Sequence, residues 1–221
     1  MQLEIFKKWD TPRDLYSKKE HVKKQICLHH TVSGEGYSGD VATMFKRGYV
    51  PAYMIERNGN IHQFYDEKYS GTHLGIPAET FSSRGIPYQK LDLSCIGIEL
   101  DSWGFVLPHK GKFYPAKLED GKFVPRLDGA PLINYPEQYC TKYRKFEFYE
   151  RYTPQQLASL EKLLTFLMAK HSIKNTYISD MWDVCNRALK GYEGVFSHTS
   201  YRKDKFDVHP QPELVTLLKS L

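Results

Sequence analysis

The sequence predicts a single α/β domain. Two short apolar runs bounded by polar or turn residues read as buried strands: Ile26-Cys27-Leu28-His29-His30 and Ser94-Cys95-Ile96-Gly97-Ile98-Glu99-Leu100. A stretch opening at Thr153 carries Leu157, Leu160, Leu164, Leu167 and Met168 on one helical face. At 221 residues the chain is long enough to bury a full core around them.

Taken in order, residues 1–24 are polar and form an arm or short helix packed on the domain. After the first strand, the glycine-rich stretch from Gly34 to Gly39 is a loop. Asp40 to Arg47 then reads as a helix with an acidic first turn and Gly48 behind it. Two β-rich runs, 52–57 and 61–65, meet at Asn58-Gly59, a strong hairpin signal. A loop rich in Ser, Gly and Pro continues to about residue 92 and leads into the second buried strand. Residues 102–150 change character and read as an insertion on one face of the domain. They contain a hairpin, 113–125, turning at Asp120-Gly121, and an aromatic, basic segment to Tyr149. Its rings either pack on the domain or stack on sugars. Thr153-Pro154-Gln155-Gln156 is a capping box with proline at the first helical position, opening a helix to about Lys170. A helix over 180–189, a strand at Gly194–His198 and a helix from Glu213 complete the chain.

Composition excludes several classes. With 41% hydrophobic and 26% charged residues the chain is not disordered. No run of about 18 apolar residues is present to span a bilayer, and the start carries no secretory signal pattern. The net charge of +5 favours polyanions mildly, but the basic residues are scattered, so nucleic-acid binding is not expected. Cys27, Cys95, Cys140 and Cys185 show no Cys-x-x-Cys spacing and are expected as reduced thiols.

The residues that carry chemistry are His29 at one strand end, His198 at another, Glu99 inside an apolar strand, and the Lys205-Phe206-Asp207 segment. Each has a bland reading, a hydrogen-bonded imidazole or a solvated carboxylate. Together they contain the set that metal-assisted amide hydrolysis needs. Two histidines and a carboxylate hold a catalytic zinc with one open position, a further carboxylate moves protons, and a lysine stabilises an oxyanion. Cys27 shares a face with His29 and reads as core filler rather than a fourth ligand. His21, His62, His109 and His171 read as surface or structural.

Leu28-His29-His30-Thr31, Arg57-Asn58-Gly59, His73-Leu74-Gly75, Ser94-Cys-Ile-Gly-Ile-Glu99 and Ser197-His198…Lys205-Phe-Asp207 occur in the order found in the zinc-dependent N-acetylmuramoyl-L-alanine amidases of type 2. The chain resembles that family, which shares its fold with the peptidoglycan recognition proteins, over about 24–101 and 153–212. The resemblance implies a central mixed β-sheet flanked by helices, with 102–150 inserted as in phage endolysin-type members. It implies zinc as cofactor, held by His29, His198 and Asp207, with Glu99 as general base and Lys205 as catalytic lysine. It also implies His73 beside the substrate. The tyrosine that some phage members use falls on Pro51. Where the family usually continues Asp-Pro-Gly this chain reads Asp207-Val208-His209, so Asp204 and His209 stay open as alternatives for the third ligand. The implied function is hydrolysis of the bond between N-acetylmuramic acid and L-alanine in peptidoglycan, by a monomer made in the cytoplasm and released to the wall by a holin or by lysis. A non-catalytic peptidoglycan-binding module and a cytoplasmic muropeptide-recycling amidase are the alternatives.

Overall fold

Strands buried on both faces carry unbroken apolar runs, and the two central strands of this protein do so. The computed structural model describes residues 3–34, 36–129, 139–140, 142–174 and 176–221. In chain order come β1 (Lys7–Lys8), β2 (Tyr16–Ser17), β3 (Gln25–His30), α1 (Tyr37–Arg47), β4 (Tyr53–Ile55), β5 (Ile61–Gln63), β6 (Ser70–Gly71), α2 (Ala78–Ser82) and β7 (Cys95–Leu100). They are followed by β8 (Phe105–His109), β9 (Lys112–Glu119), β10 (Lys122–Pro125), β11 (Tyr139–Cys140) and β12 (Phe148–Glu150). The chain ends with α3 (Pro154–His171), α4 (Asn186–Leu189), β13 (Gly194–Ser197) and α5 (Pro212–Ser220).

The central sheet has the order β1-β5-β4-β7-β3-β13. β4, β7, β3 and β13 are parallel, β5 is antiparallel to β4, and β1 runs parallel to β5. This is the mixed sheet expected. Every residue of β3 and β7 is buried. Leu157, Leu160, Leu163, Leu164 and Leu167 of α3 are buried in the core. At about 2 kcal/mol per leucine, their burial contributes up to about 10 kcal/mol. The capping box of α3 is formed: Gln156 N donates to Thr153 Oγ1 at 3.1 Å, and Thr153 N donates to Gln156 Oε1 at 3.0 Å. Among the described residues no helix is long and apolar enough to cross a membrane.

The hairpin at Asn58-Gly59 joins β4 to β5, with Gly59 at φ 90°. The second hairpin joins β9 to β10 through Asp120 and Gly121, both at positive φ. That hairpin belongs to a second sheet, β10-β9-β8-β12-β11, antiparallel throughout. Its rings pack: Phe105, Phe146, Tyr143 and Tyr149 form a separate buried cluster. Residues 130–138 of the expected insertion, Cys140's side chain and Glu35 of the glycine-rich loop lie outside what is described. Cys27, Cys95 and Cys185 are free thiols.

Four expectations change. The loop expected from Gly34 to Gly39 ends early, because α1 opens at Tyr37 rather than at Asp40. The N-terminal arm contributes two short strands, β1 paired with β5 and β2 with β6, where an arm or short helix was expected. The Ser-, Gly- and Pro-rich loop contains α2. The helix expected over 180–189 is a 3-10 turn, Ser179–Trp182, followed by α4. It breaks because Ser197 Oγ and Ser200 Oγ both donate to Met181 O, and Cys185 N donates to Ser200 O, which draws the chain off helical geometry.

Candidate metal centre

Parallel strands bring their carboxyl ends to one edge, where open α/β sheets place ligands. Here that edge collects His29 from β3, Glu99 from β7 and His198 directly after β13. The register pairs His29 with Glu99 and Ser197 with Leu28, so His198 falls beside His29. Alternation places Cys27 and His29 on the same face of the sheet as Gly97 and Glu99. Asp207 and Lys205 arrive from the segment that follows the 3-10 turn His198–Ser200.

Three donor atoms converge. His29 Nδ1 lies 3.0 Å from His198 Nδ1 and 3.3 Å from Asp207 Oδ2, and His198 Nδ1 lies 2.9 Å from Asp207 Oδ2. Tetrahedral zinc with bonds of 2.0–2.1 Å separates its ligand atoms by about 3.3 Å, so this triangle fits that ion with slight opening. The donor set, two imidazoles and a carboxylate, is one zinc takes. The remaining ring nitrogens have partners. His29 Nε2 lies 2.9 Å from His73 Nδ1, and His198 Nε2 donates to Leu74 O at 2.9 Å. Those bonds leave both Nδ1 atoms facing the centre, the arrangement that orients histidine ligands. His73 and Leu74 are themselves held by Asp92 Oδ1, which accepts from both backbone N–H groups at 2.8 and 2.9 Å.

The electrostatics agree with cation binding. Burial, with His198 adding, lowers the His29 pKa to about 3, so its imidazole is neutral. Burial alone raises the Asp207 pKa, but His198 and hydrogen bonds from both histidines hold it well below the usual carboxylate range. Burial pushes Glu99 well above its ordinary value, the charges of Asp207 and Asp40 add to this, and Lys205 opposes it. Glu99 is 6% exposed, and its Oε2 has no hydrogen-bond partner among the described residues. An unpartnered buried carboxylate oxygen costs stability unless something is bound against it.

The other expected residues separate. Asp204 is taken by Arg202 at 2.7 and 3.0 Å. His209 is stacked between Tyr149 and Tyr152, 4.6 Å from each ring. Of the three alternatives for the third ligand, the fold brings Asp207 to the two histidines. His73 is buried behind His29, with its ring over Gly97, and what it touches is His29 rather than solvent. Cys27, His29 and His73 make a second metal-capable group. It fits less well, because burial pushes the Cys27 thiol well up, away from the thiolate a metal needs. His62 is structural, accepting from Trp9 Nε1 at 3.1 Å and meeting Glu56 at 3.0 Å.

Sequence reasoning missed Asp92, which acts through backbone N–H groups and so leaves no spacing signal. Tyr49, two residues before Pro51, is half-buried, and its pKa rises to about 12 through burial and then the charge of Glu99.

A family model described as N-acetylmuramoyl-L-alanine amidase matches residues 19–210. The chain belongs to this amidase family. The amidase is similar in structure to the N-acetylmuramoyl-L-alanine amidase LysC from Clostridium intestinale URNW, at 17% identity and a TM-score of 0.53, covering 99% of this chain and 97% of that one. It is similar to a mutant endolysin from Bacillus subtilis, at 14% identity and a TM-score of 0.52, covering 99% and 98%. An AmpD derivative matches at 13% identity and a TM-score of 0.51, covering 98% and 99%. At these identities the likeness establishes the shared type 2 amidase fold. No curated protein sequence matches the amidase. The family gives the enzyme class: hydrolysis of the N-acetylmuramoyl-L-alanine bond of peptidoglycan.

Proposed function

We propose that the amidase is zinc-dependent and acts on intact peptidoglycan in the manner of an endolysin, with His29, His198 and Asp207 as metal ligands. The convergence of three buried donor atoms within 2.9–3.3 Å, in a chain of this family, carries the reading. A bound zinc supplies Lewis acidity, polarising the lactyl carbonyl and lowering the pKa of water.

The chain's own residues do the rest. Glu99, whose pKa burial raises and whose ionised form Lys205 and a bound cation would favour, would take the proton of the attacking water as the carbon–oxygen bond forms. It delivers that proton to the alanine nitrogen as the carbon–nitrogen bond breaks. Its unpartnered Oε2 is the acceptor for this transfer. Lys205 stabilises the charge developing on the carbonyl oxygen, and the same positive charge favours ionised Glu99. His73 and Leu74 hold the outer ring nitrogens of His29 and His198, which would leave both Nδ1 atoms to take a cation. The endolysin reading is supported by the endolysin fold neighbours and by a net charge of +5, which favours an anionic wall.

The test is mass spectrometry of purified sacculi digested with and without a chelator. Release of intact stem peptides from unbroken glycan, stopped by chelator and restored by zinc, is expected. Release that ignores chelator would sink the metal assignment. Cleavage confined to soluble anhydro-muropeptides, with sacculi untouched, would replace the wall-lysing role by fragment recycling.

A further inference from the structure

The central sheet fixes His29 and His198 directly, because both sit at strand ends. It does not fix Lys205 or Asp207, which lie in a segment without regular structure between the 3-10 turn and α5. Packed against that segment are the second sheet, through Phe105 of β8 and Phe123 of β10, and residues 142–147, which connect β11 to β12. Phe206, the residue between Lys205 and Asp207, packs edge-on against Phe146 at 5.0 Å, Phe105 at 5.7 Å and Phe123 at 6.4 Å. Lys145 Nζ stands 5.0–5.4 Å from the rings of Phe123, Phe146 and Phe206, tying the same three together.

Three further contacts grip the segment on either side. Tyr143 Oη lies 2.9 Å from the hydroxyl of Thr199, next to His198. Arg144 Nη1 donates to Lys203 O at 3.0 Å, and its Nη2 reaches Asp183 at 2.9 Å. The ring of Tyr149 stacks on His209. The side chains of Lys205 and Asp207 flank Phe206 in sequence, so a shift of the Phe206 ring displaces both. Phe206 is half-buried against this cluster, and ring packing of this kind resists such shifts more firmly than a solvated loop does.

We propose that the second sheet together with its 142–147 connection is a positioning device for the catalytic segment: it clamps Phe206 and thereby sets Lys205 and Asp207 against the two strand-end histidines. Phe105, Phe123, Tyr143, Arg144 and Phe146 are positioning residues, none touching the reacting atoms. This rests on the metal and lysine roles proposed above.

The experiment compares wild type, Phe146→Ala, Phe146→Leu and Arg144→Ala. It measures amide hydrogen exchange of the metal-free protein, zinc affinity by chelator competition, and kcat and KM at saturating zinc. Phe146→Ala is expected to speed exchange over 203–209 while 26–30 and 95–100 stay protected. It should weaken zinc binding about 10- to 100-fold, as loss of ligand support does, and lower kcat more than KM. Leucine should restore most of each, and Arg144→Ala should give a smaller change of the same pattern. A uniform rise in exchange across the central strands, or a lowered melting temperature with unchanged zinc affinity and kcat, would overturn the clamp. Should Phe146→Ala not fold, Arg144→Ala decides by the same readouts. A wild type that binds no zinc refutes the metal reading instead, and local exchange over 203–209 still judges the clamp.

Discussion

Gly97 offers a direct test of how the two histidines proposed as zinc ligands are held. It is the glycine of the Cys95-Ile-Gly-Ile-Glu99 run, and its φ is not in the left-handed region, so its backbone would accept alanine. The constraint is space. A Cβ on Gly97 would stand 2.9 Å from both Cγ and Nδ1 of His73, and 3.1 Å from Cδ2. Ordinary contacts need about 3.5 Å or more, so the ring must retreat by roughly 0.6 Å. His73 has little room to do so: Asp92 holds its backbone N–H at 2.8 Å, and its Nδ1 lies 2.9 Å from His29 Nε2. A retreat of that size takes the imidazole pair to the limit of a hydrogen bond. Gly97→Ala should cost about 1–3 kcal/mol of stability from overpacking. It should also weaken zinc binding about tenfold or more through loss of the orienting bond. Urea denaturation and chelator competition read the two effects. Placing the substitution in a His73→Ala background removes the clash, so the stability cost should vanish there. An equal cost in both backgrounds, or unaltered zinc affinity in the single variant, would refute the reasoning.

Glu99→Gln should keep the fold and zinc while losing turnover by about 10²–10⁴-fold, whereas His198→Ala should lose zinc and turnover together; zinc content beside activity separates the two, and near-normal turnover of Glu99→Gln removes the base assignment. Lys23 is 2% exposed, its ammonium donates to Tyr69 O and Leu93 O, and burial lowers its pKa from 10.5 to about 8. Between those values the unfolded chain binds a proton that the folded chain does not, so this group's contribution to stability rises with pH, by up to about 3 kcal/mol. Unfolding free energies of wild type minus Lys23→Met, measured from pH 7.5 to 10.5, should show that rise, and a flat difference contradicts it. Arg57→Ala strips Asp101 and Glu150 of partners at 2.6 and 2.9 Å and should cost about 3–5 kcal/mol. Burial already lifts Asp101 to about 7, and a raised carboxyl pKa loses stability as pH rises through it, so the loss should be larger at pH 8 than at pH 5. Equal losses at both pH values argue against Asp101 as the source.

The parts of the fold written in local chemistry were legible. Thr153 and Gln156 form the capping box their spacing announces, Asn58-Gly59 and Asp120-Gly121 turn the hairpins they predict, and the apolar runs of β3 and β7 are buried at every residue because both faces are covered. The misread stretches depend on partners distant in sequence. Residues 180–189 have helical composition, but the serines of 197–200 take the Met181 carbonyl, and no local pattern reveals that competition. The arm strands β1 and β2 are too short to carry periodicity and exist because β5 and β6 offer open edges.

The site divides along the same line. Histidines and a glutamate at the ends of apolar strands are visible as exceptions to the hydrophobic run, and that exception drew attention to His29 and Glu99. What makes them a centre is register: one residue of slip between β3 and β7 would turn Glu99 to the opposite face from His29. Selection of Asp207 over Asp204 was equally non-local. Both follow His198 closely, yet Arg202 engages Asp204, while Phe206 is drawn into the aromatic cluster of the second sheet beside Asp207. The insertion expected on one face of the domain thus packs its rings against Phe206, the residue immediately before the carboxylate that faces the histidines.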